Sequence, residues 1–174
     1  MSSCMRGFGS YKKDLLKCVS KDISQGFISE STFKDIINWK SPRVKGKMKK
    51  DFEYYDQAIK QVLLSPDHEK LQILIGLDGI GVPVASTILN FIYPDKFPIM
   101  DVRVTEALCE FKYLNVKARS LKNYSRYRKV ILEIVRDSGC SMREVDRALF
   151  AYHKINDQKK KRKNTKRSHC CNSI

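Results

Sequence analysis

The sequence lacks several patterns that mark membrane, secreted and metal-binding proteins. None of its apolar runs is long enough to span a membrane, and the N-terminal stretch MSSCMRGFGSYKK lacks the apolar centre of a signal peptide. The six cysteines show no metal-ligand spacing and no C-x-x-C pair, so we expect no metal site and reduced thiols. No stretch alternates apolar and polar residues as a half-buried strand would, and no internal repeat is present. These absences favour an intracellular protein of the all-α class.

Acidic residues are scarce relative to basic ones. The chain of 174 residues has 34 Lys and Arg against 19 Asp and Glu, which gives a formal charge of +15. The part from Lys154 to Ile174 contributes +7, so residues 1–153 carry +8 without it. This positive charge on residues 1–153 is expected of a protein that binds a polyanion. The content of hydrophobic residues, 42%, is sufficient for a buried core. We therefore predict one compact helical domain, residues 1–153, and a disordered polybasic tail, residues 154–174.

Helical periodicity runs through most of the domain and predicts seven or eight helices, the last of which ends at about Lys154. Residues that can cap or end these helices flank the apolar segments: Ser10, Ser29 or Ser31, Gly139, and the capping box Ser141-Met142-Arg143-Glu144. The sequence thus predicts an all-α fold with capping residues at the helix boundaries.

The polybasic tail allows three interpretations. Its run Lys159–Lys163 resembles a nuclear-localisation cluster, which would place the protein in the nucleus of a eukaryote and otherwise leave it cytoplasmic. The last four residues, Cys171-Asn172-Ser173-Ile174, fit the C-a-a-X prenylation pattern only loosely, because Asn and Ser are not aliphatic. Nonspecific contact with phosphates by a solvated tail is the default interpretation.

A short segment between two predicted helices concentrates positive charge. We call Trp39–Lys50 the basic loop, because it holds six basic residues together with one Gly and one Pro. The basic residues are Lys40, Arg43, Lys45, Lys47, Lys49 and Lys50. Such a run either binds phosphates or forms a solvated charged face. For DNA contact, the residues we single out are Arg43, Lys45 and Lys47.

The stretch from Ile73 to Val104 carries the clearest local motif. An apolar helix breaks at Asp78-Gly79-Ile80-Gly81, and a second helix follows. Two glycines two positions apart allow a turn with positive φ and a close approach of the backbone to another group, while Ile80 can plug the turn into the helices beneath it. The first N–H groups of the second helix lack partners within that helix and suit a phosphate.

This stretch resembles the helix-hairpin-helix DNA glycosylase superfamily, HhH-GPD. Leu77-Asp78-Gly79-Ile80-Gly81 stands where the family has L-P-G-[IV]-G, and Ala85 lies on the helix that follows. Asp101-Val102-Arg103-Val104 stands where the family has V-D-[TS]-H-V or a relative, with its aspartate at about the family's distance from the hairpin. The resemblance implies a compact helical fold that contacts DNA through Gly79, Ile80, Gly81 and Val82. It also implies that Asp101 stabilises oxocarbenium-like charge on the sugar of a flipped nucleotide or activates the incoming water.

The chain departs from the family pattern at two places. Bifunctional members carry a lysine nucleophile two positions after the second glycine, and this chain has Pro83 there. It also lacks the four closely spaced cysteines that hold an iron–sulfur cluster in some members. We therefore expect no cofactor, the one candidate ligand being a monovalent cation at the hairpin. The resemblance then implies a monofunctional glycosylase that leaves an intact abasic site, although Pro83 also leaves room for a chain that has lost activity.

Other candidate residues have a structural interpretation beside the functional one. Asp101 precedes a helix and could serve only as its N-cap. Trp39, Tyr54 and Tyr55 are candidates to stack on an extruded base, although core packing is common for such residues. Arg103 can reach a phosphate or pair with a local carboxylate. The remaining polar candidates have structural defaults: Asn90 as a hydrogen-bond donor to the loop of Asp101, and His68, His153 and His169 as surface residues.

Three functions follow from these features. The favoured one is a monomeric, monofunctional DNA glycosylase that removes a damaged or modified base, with DNA as partner and no membrane contact. The alternative is a noncatalytic DNA-binding or lesion-sensing protein on the same fold. A membrane-tethered adaptor that uses the tail and Cys171 is the third hypothesis.

Overall fold

The computed structural model describes residues 4–170 and, within them, the side chains of residues 13–44 and 46–158. The described chain is all-helical, which confirms the predicted fold class. It forms nine helices: α1 (Cys4–Ser24), α2 (Glu30–Lys40), α3 (Pro42–Lys45), α4 (Phe52–Leu64), α5 (Asp67–Ile75), α6 (Val82–Ile92), α7 (Val102–Glu110), α8 (Leu121–Ser138) and α9 (Met142–Cys170). No helix among these residues is both long and apolar enough to cross a membrane.

The backbone groups into two compact units. The first takes in the chain up to Ile99 together with Ser120–Lys122, and the second takes in Met100–Arg119 and the chain from Asn123 onward. The predicted hairpin and the basic loop therefore belong to the first unit, and Asp101 belongs to the second. The predicted boundary between domain and tail stays a prediction, and α9 passes through it without a break.

The first unit is organised around α6. All eleven residues of this helix except Pro83 are buried, because VPVASTILNFI has apolar or small side chains on every face. Helices α1, α2 and α5 pack against it. Apolar residues of the neighbouring helices complete the core: Leu15, Val19, Phe33, Ile36, Ile37, Ile59, Val62, Leu71 and Leu74.

The second unit contains α7, most of α8, and α9. Helix α7 packs along α9, and its buried face carries Val104 and Leu108 at helical spacing. Helix α8 buries Tyr127 and Ile131. The position of the α7 N-terminus, and hence of Asp101, is fixed by this packing.

Several predicted helix boundaries are confirmed. Ser29 is the N-cap of α2, and its side chain accepts the Thr32 N–H at 3.4 Å. Gly139 follows α8 with φ +67°. The capping box at α9 is formed in full: the Ser141 hydroxyl oxygen accepts the Glu144 N–H at 3.3 Å, and Ser141 donates its N–H and its hydroxyl to the Glu144 carboxylate at 2.8 and 2.7 Å. These bonds lower the pKa of the Glu144 carboxyl.

Three predictions about the helices were wrong. The structure has nine helices over the described residues rather than seven or eight, partly because Pro42–Lys45 forms a single helical turn inside the basic loop. Ser10 does not cap a helix, since α1 already begins at Cys4. Helix α9 does not end near Lys154 but continues to Cys170. No Gly or Pro interrupts this continuation, and Lys, Arg and Gln favour helix even where no core is available.

Parts of the tail lie outside the described residues. The backbone of Lys159–Lys163 is helical, but the side chains of this predicted nuclear-localisation cluster are not among those described. The same holds for His169. The predicted prenylation sequence Cys171–Ile174 lies wholly outside the described residues.

Candidate nucleic-acid interface and candidate catalytic aspartate

The predicted glycine hairpin joins α5 to α6. Helix α5 ends at Ile75, and the turn Leu77-Asp78-Gly79-Ile80 closes with a bond from the Ile80 N–H to the Leu77 carbonyl at 3.1 Å. Gly79 has φ +74°, which confirms the predicted positive φ. Ile80 is 4% exposed, so it plugs the turn into the unit below as expected. Gly81 has φ −96° and ψ 174°, an extended conformation open to any residue.

The group that comes close to the backbone at Gly79 belongs to this chain itself: it is the carbonyl group of Lys47. A Cβ atom built on Gly79 would lie 2.6 Å from the carbonyl oxygen and 2.8 Å from the carbonyl carbon of Lys47. No side chain fits in this space, because backbone atoms cannot be displaced as a flexible side chain can. The absent side chain at Gly79 therefore lets the basic loop lie directly on the hairpin.

Two side chains hold the basic loop in this place. The Asp78 carboxylate accepts the backbone N–H of Lys49 at 3.2 Å. The Tyr55 hydroxyl donates to the Asp78 carbonyl at 3.1 Å, and it also accepts a backbone hydrogen bond from Lys50. Burial is the main reason that the pKa of Tyr55 is raised above 10.0. Tyr55 thus bridges the two segments as a neutral phenol, and the Asp78 carboxylate makes a further hydrogen bond between them.

The start of α6 offers two backbone donors. Within the described part of the chain, the N–H groups of Gly81 and Val82 have no hydrogen-bond acceptor. The N–H groups of Val84 and Ala85 are already bonded to the Gly81 carbonyl, at 2.9 and 3.0 Å. Pro83 has no N–H, so the N–H groups without a bond at the start of α6 are those of Gly81 and Val82.

The basic loop presents its charged side chains to solvent. Arg43, Lys47 and Lys49 are exposed, and Lys40 is half-buried. The side chain of Lys45, which was also predicted to contact DNA, is not among those described. Because the Lys47 carbonyl lies against Gly79 and the Lys49 N–H is bonded to Asp78, the backbone of these two residues lies at the hairpin of the first unit.

The three aromatic base-pocket candidates lie in different surroundings. Trp39 is half-buried and meets the ring of Phe91 edge-on, with centroids 5.2 Å apart. Tyr54 is 38% exposed, whereas Tyr55 is 2% exposed and lines a cavity. Of these candidates, only Tyr55 contributes to that cavity, which also borders the basic loop.

Asp101 is the N-cap of α7. Its carboxylate oxygen Oδ1 accepts the Arg103 N–H at 2.9 Å, and its carbonyl oxygen accepts the Thr105 hydroxyl at 2.7 Å. The residue is half-buried, so part of its surface faces solvent. Asp101 therefore serves as the N-cap of α7, which confirms the structural interpretation of this residue.

A neutral phenol lies within electrostatic reach of this aspartate in the second unit. Burial raises the pKa of Tyr127 well above its ordinary value, and the negative charges of Asp146 and, more weakly, Asp101 raise it further. Tyr127 therefore stays protonated when Asp101 is charged.

Two further predictions concern residues near Asp101 in sequence. Asn90 donates to the Phe97 carbonyl at 2.9 Å, so it braces the loop that leads to Asp101, as predicted. The Arg103 guanidinium lies 5.2 Å from the ring centroid of Phe150 on α9, a cation–π contact. Arg103 thus helps to join α7 to α9, which sequence reasoning had not foreseen.

Sequence reasoning also missed a pair in the second unit. His153 was expected at the surface, but its side chain is 14% exposed and its Nε2 lies 2.8 Å from Oε2 of Glu106. The two residues are far apart in the sequence and were not connected by any motif, so only the packing of α7 on α9 reveals the pair. His68, by contrast, is exposed as expected.

No family model, curated protein sequence or solved structure matches the chain. The resemblance to the HhH-GPD superfamily therefore rests on the hairpin residues, Ala85 and the segment that begins at Asp101.

Proposed function

We propose that this protein is a monofunctional DNA glycosylase. In this proposal the hairpin and the basic loop of the first unit bind the DNA backbone, and Asp101 of the second unit acts on the sugar of the target nucleotide. The observation that supports it most is the hairpin itself, where the backbone of the basic loop lies against Gly79 and Asp78, and two backbone donors follow at the start of α6.

Binding would combine directed hydrogen bonds with positive charge. The N–H groups of Gly81 and Val82 suit one phosphate, because they carry the partial positive charge of a helix N-terminus. Lys47 and Lys49 add full charges next to it, and each phosphate they neutralise would release counterions. These contacts are independent of base sequence, so they position the strand without selecting a base.

Base removal would use the carboxylate of Asp101. As the N-glycosidic bond breaks, positive charge develops on the sugar, and a carboxylate held at a helix N-terminus can stabilise that charge or accept a proton from the attacking water. The bond to the Arg103 N–H fixes the direction of the carboxylate. Because Pro83 replaces the lysine nucleophile of bifunctional relatives, the product would be an abasic site with an intact strand.

The direct test is a panel of duplexes that each carry one damaged or modified base, treated with the full-length protein and then with alkali. Strand cleavage only after alkali treatment is the expected result for at least one duplex. Cleavage without alkali would contradict the monofunctional assignment.

The role of Asp101 can be separated from its role as a cap. Asparagine caps helices about as well as aspartate, so Asp101→Asn should leave the melting temperature unchanged and lower the rate of base removal about a hundredfold or more. Asp101→Ala should lower the rate similarly and also destabilise the protein by about 0.5–2 kcal/mol. Full activity in Asp101→Asn would show that this carboxylate is not the catalyst.

A second candidate function is DNA binding without catalysis. It is favoured by Asp101, whose carboxylate already serves as an N-cap, and by Pro83 at the nucleophile position. This alternative predicts salt-dependent DNA binding with no abasic product from any duplex of the panel.

A further inference from the structure

A cavity of about 310 Å³ opens on the first unit beside the basic loop. Its lining is made of buried and half-buried apolar residues below and exposed charged residues above: Glu30, Phe33, Lys34, Ile37, Met48, Lys50, Asp51, Phe52 and Tyr55. The ring of Phe33 lies 5.8 Å from that of Phe52 and 5.5 Å from that of Tyr55. The floor is thus a set of aromatic faces and edges, and this composition suits a flat ring.

The rim of the cavity carries no surplus of either charge. Lys34 and Glu30 pair at 2.6 Å, and Lys50 and Asp51 follow each other at the end of the basic loop. Two carboxylates and two ammonium groups balance, so the cavity itself does not favour an anion. A nucleobase fits this combination, because it is an uncharged ring whose edges both donate and accept hydrogen bonds.

The cavity is connected to the proposed DNA-binding surface through shared residues. Met48 and Lys50 line it, whereas Lys47 and Lys49, which alternate with them, are exposed beside the hairpin. Tyr55 lines it and also bonds the hairpin carbonyl of Asp78. A strand whose phosphates contact Lys47 and Lys49 would therefore pass next to the cavity opening.

We propose that this cavity binds an unpaired nucleobase of the DNA strand whose phosphates contact the basic loop. The base stacks on the aromatic floor, and the charged rim contacts its polar edges. The inference rests on the proposed DNA binding, but it requires no catalysis by Asp101.

The test compares two single-stranded oligonucleotides of about ten nucleotides, a length within the range of known single-strand sites. One is oligothymidine, and the other has the same phosphates but abasic sugars throughout. If a base occupies the cavity, oligothymidine binds the wild-type protein about 5- to 150-fold more tightly, the range expected for one base stacked on an aromatic side chain. If the wild-type protein bound oligothymidine and the abasic oligonucleotide with equal affinity, this result alone would overturn the inference.

Substitutions then assign the difference to the cavity. Phe52→Leu keeps an apolar residue at a half-buried position but removes a ring, so it should lower the affinity ratio severalfold while leaving the abasic oligonucleotide unaffected. Phe52→Tyr retains the ring and should retain the ratio. Tyr54→Leu is the matched control, because Tyr54 is the neighbour of Tyr55 on α4 but does not line the cavity. Lys47→Gln should weaken both oligonucleotides equally.

The outcomes separate this inference from the proposed function. Binding of both oligonucleotides with one affinity, or a ratio that Tyr54→Leu lowers and Phe52→Leu does not, overturns the cavity assignment and leaves DNA binding intact. No binding of either oligonucleotide or of duplex DNA overturns both. A ratio that falls only in Phe52→Leu supports the cavity assignment, whatever the result for Asp101→Asn.

Discussion

The carbonyl group of Lys47 lies over the α-carbon of Gly79, so close that a methyl group on Gly79 would be 2.6 Å from the carbonyl oxygen. This contact joins the most basic segment of the first unit to the glycine turn between α5 and α6. The Asp78 carboxylate and the Tyr55 hydroxyl hold the same two segments together by hydrogen bonds. The candidate DNA-binding surface is therefore built from segments about thirty residues apart in the sequence.

Gly79→Ala should release the basic loop from the hairpin. Alanine at φ +74° costs about 1–2 kcal/mol, and its Cβ atom would also collide with the backbone of Lys47. We expect a loss of at least this size in the free energy of unfolding, measured by urea denaturation, and a weaker affinity for DNA.

Gly81→Ala is the matched control for this substitution. Gly81 is extended, and a Cβ atom there would meet only Cδ of Pro83 at 3.8 Å, an ordinary contact. The free energy of unfolding of the Gly81→Ala variant should differ from that of the wild type by less than about 0.5 kcal/mol. If Gly79→Ala and Gly81→Ala lowered the free energy of unfolding equally, the close contact between Gly79 and Lys47 would not be the cause of the loss.

The cations beside the hairpin should set the salt dependence of DNA binding. Lys47→Gln and Lys49→Gln should each lower affinity for all sequences alike and reduce the slope of log affinity against log salt by about 1. Titrations of one duplex at several salt concentrations measure this slope. Lys60→Gln is a suitable control, because Lys60 is exposed on α4 and pairs with Asp56 at 2.7 Å. If Lys60→Gln reduced the slope as much as Lys47→Gln and Lys49→Gln do, the effect would come from the net charge of the protein and not from the cations beside the hairpin.

Lys70 should contribute to stability through its buried ammonium group. Its Nζ donates to the carbonyls of Val62 and Ser65 at 2.5 and 2.6 Å, and to the Tyr93 hydroxyl at 3.3 Å. The carbonyls close the C-terminal end of α4, where no helical partner is available. Lys70→Met keeps the length but removes the donors, so we expect a loss of about 1–3 kcal/mol in urea denaturation.

Lys60→Met tests whether this loss depends on burial. Lys60 is an exposed member of an i, i+4 pair on α4, which is worth only about 0.3–0.5 kcal/mol. A loss in Lys60→Met as large as in Lys70→Met would contradict the role given to the buried donors.

The carboxylate of Asp22 should make stability depend on acid pH. Burial alone would raise its pKa, but the bonds from the Ser29 N–H and hydroxyl, at 2.8 and 2.7 Å, outweigh it, and the pKa is lowered below 3.8. As the pH falls, the Asp22 carboxylate is protonated in the unfolded chain before it is protonated in the folded one. Its contribution to the free energy of unfolding is therefore complete above about pH 4 and is lost as the pH falls through the folded-state pKa. Asp22→Asn should cost about 1–3 kcal/mol at neutral pH and progressively less below about pH 4. Urea denaturation of both proteins across this range measures the difference, and a difference that did not shrink would contradict the prediction.

Local patterns predicted much of the secondary structure. Helical periodicity identified the main helices, a pair of glycines located the hairpin, and an apolar residue between them, Ile80, is buried as expected. The capping box from Ser141 to Glu144 is formed by residues three positions apart, so it could be read without a tertiary structure. The predicted end of α9 near Lys154 was wrong, because helix propensity alone continues the helix to Cys170 through a segment of low apolar content.

The sequence by itself determined the all-α class, the turn at Gly79 and the N-cap at Asp101, because each depends on residues that are close together in the chain. Only the tertiary structure decided what these features contact. Adjacent residues Tyr54 and Tyr55 differ in whether they line the cavity, since neighbours on a helix point in different directions and packing selects one of them. The contact of Lys47 with Gly79 and the pairing of His153 with Glu106 likewise depend on how distant helices and loops pack, which no local pattern specifies.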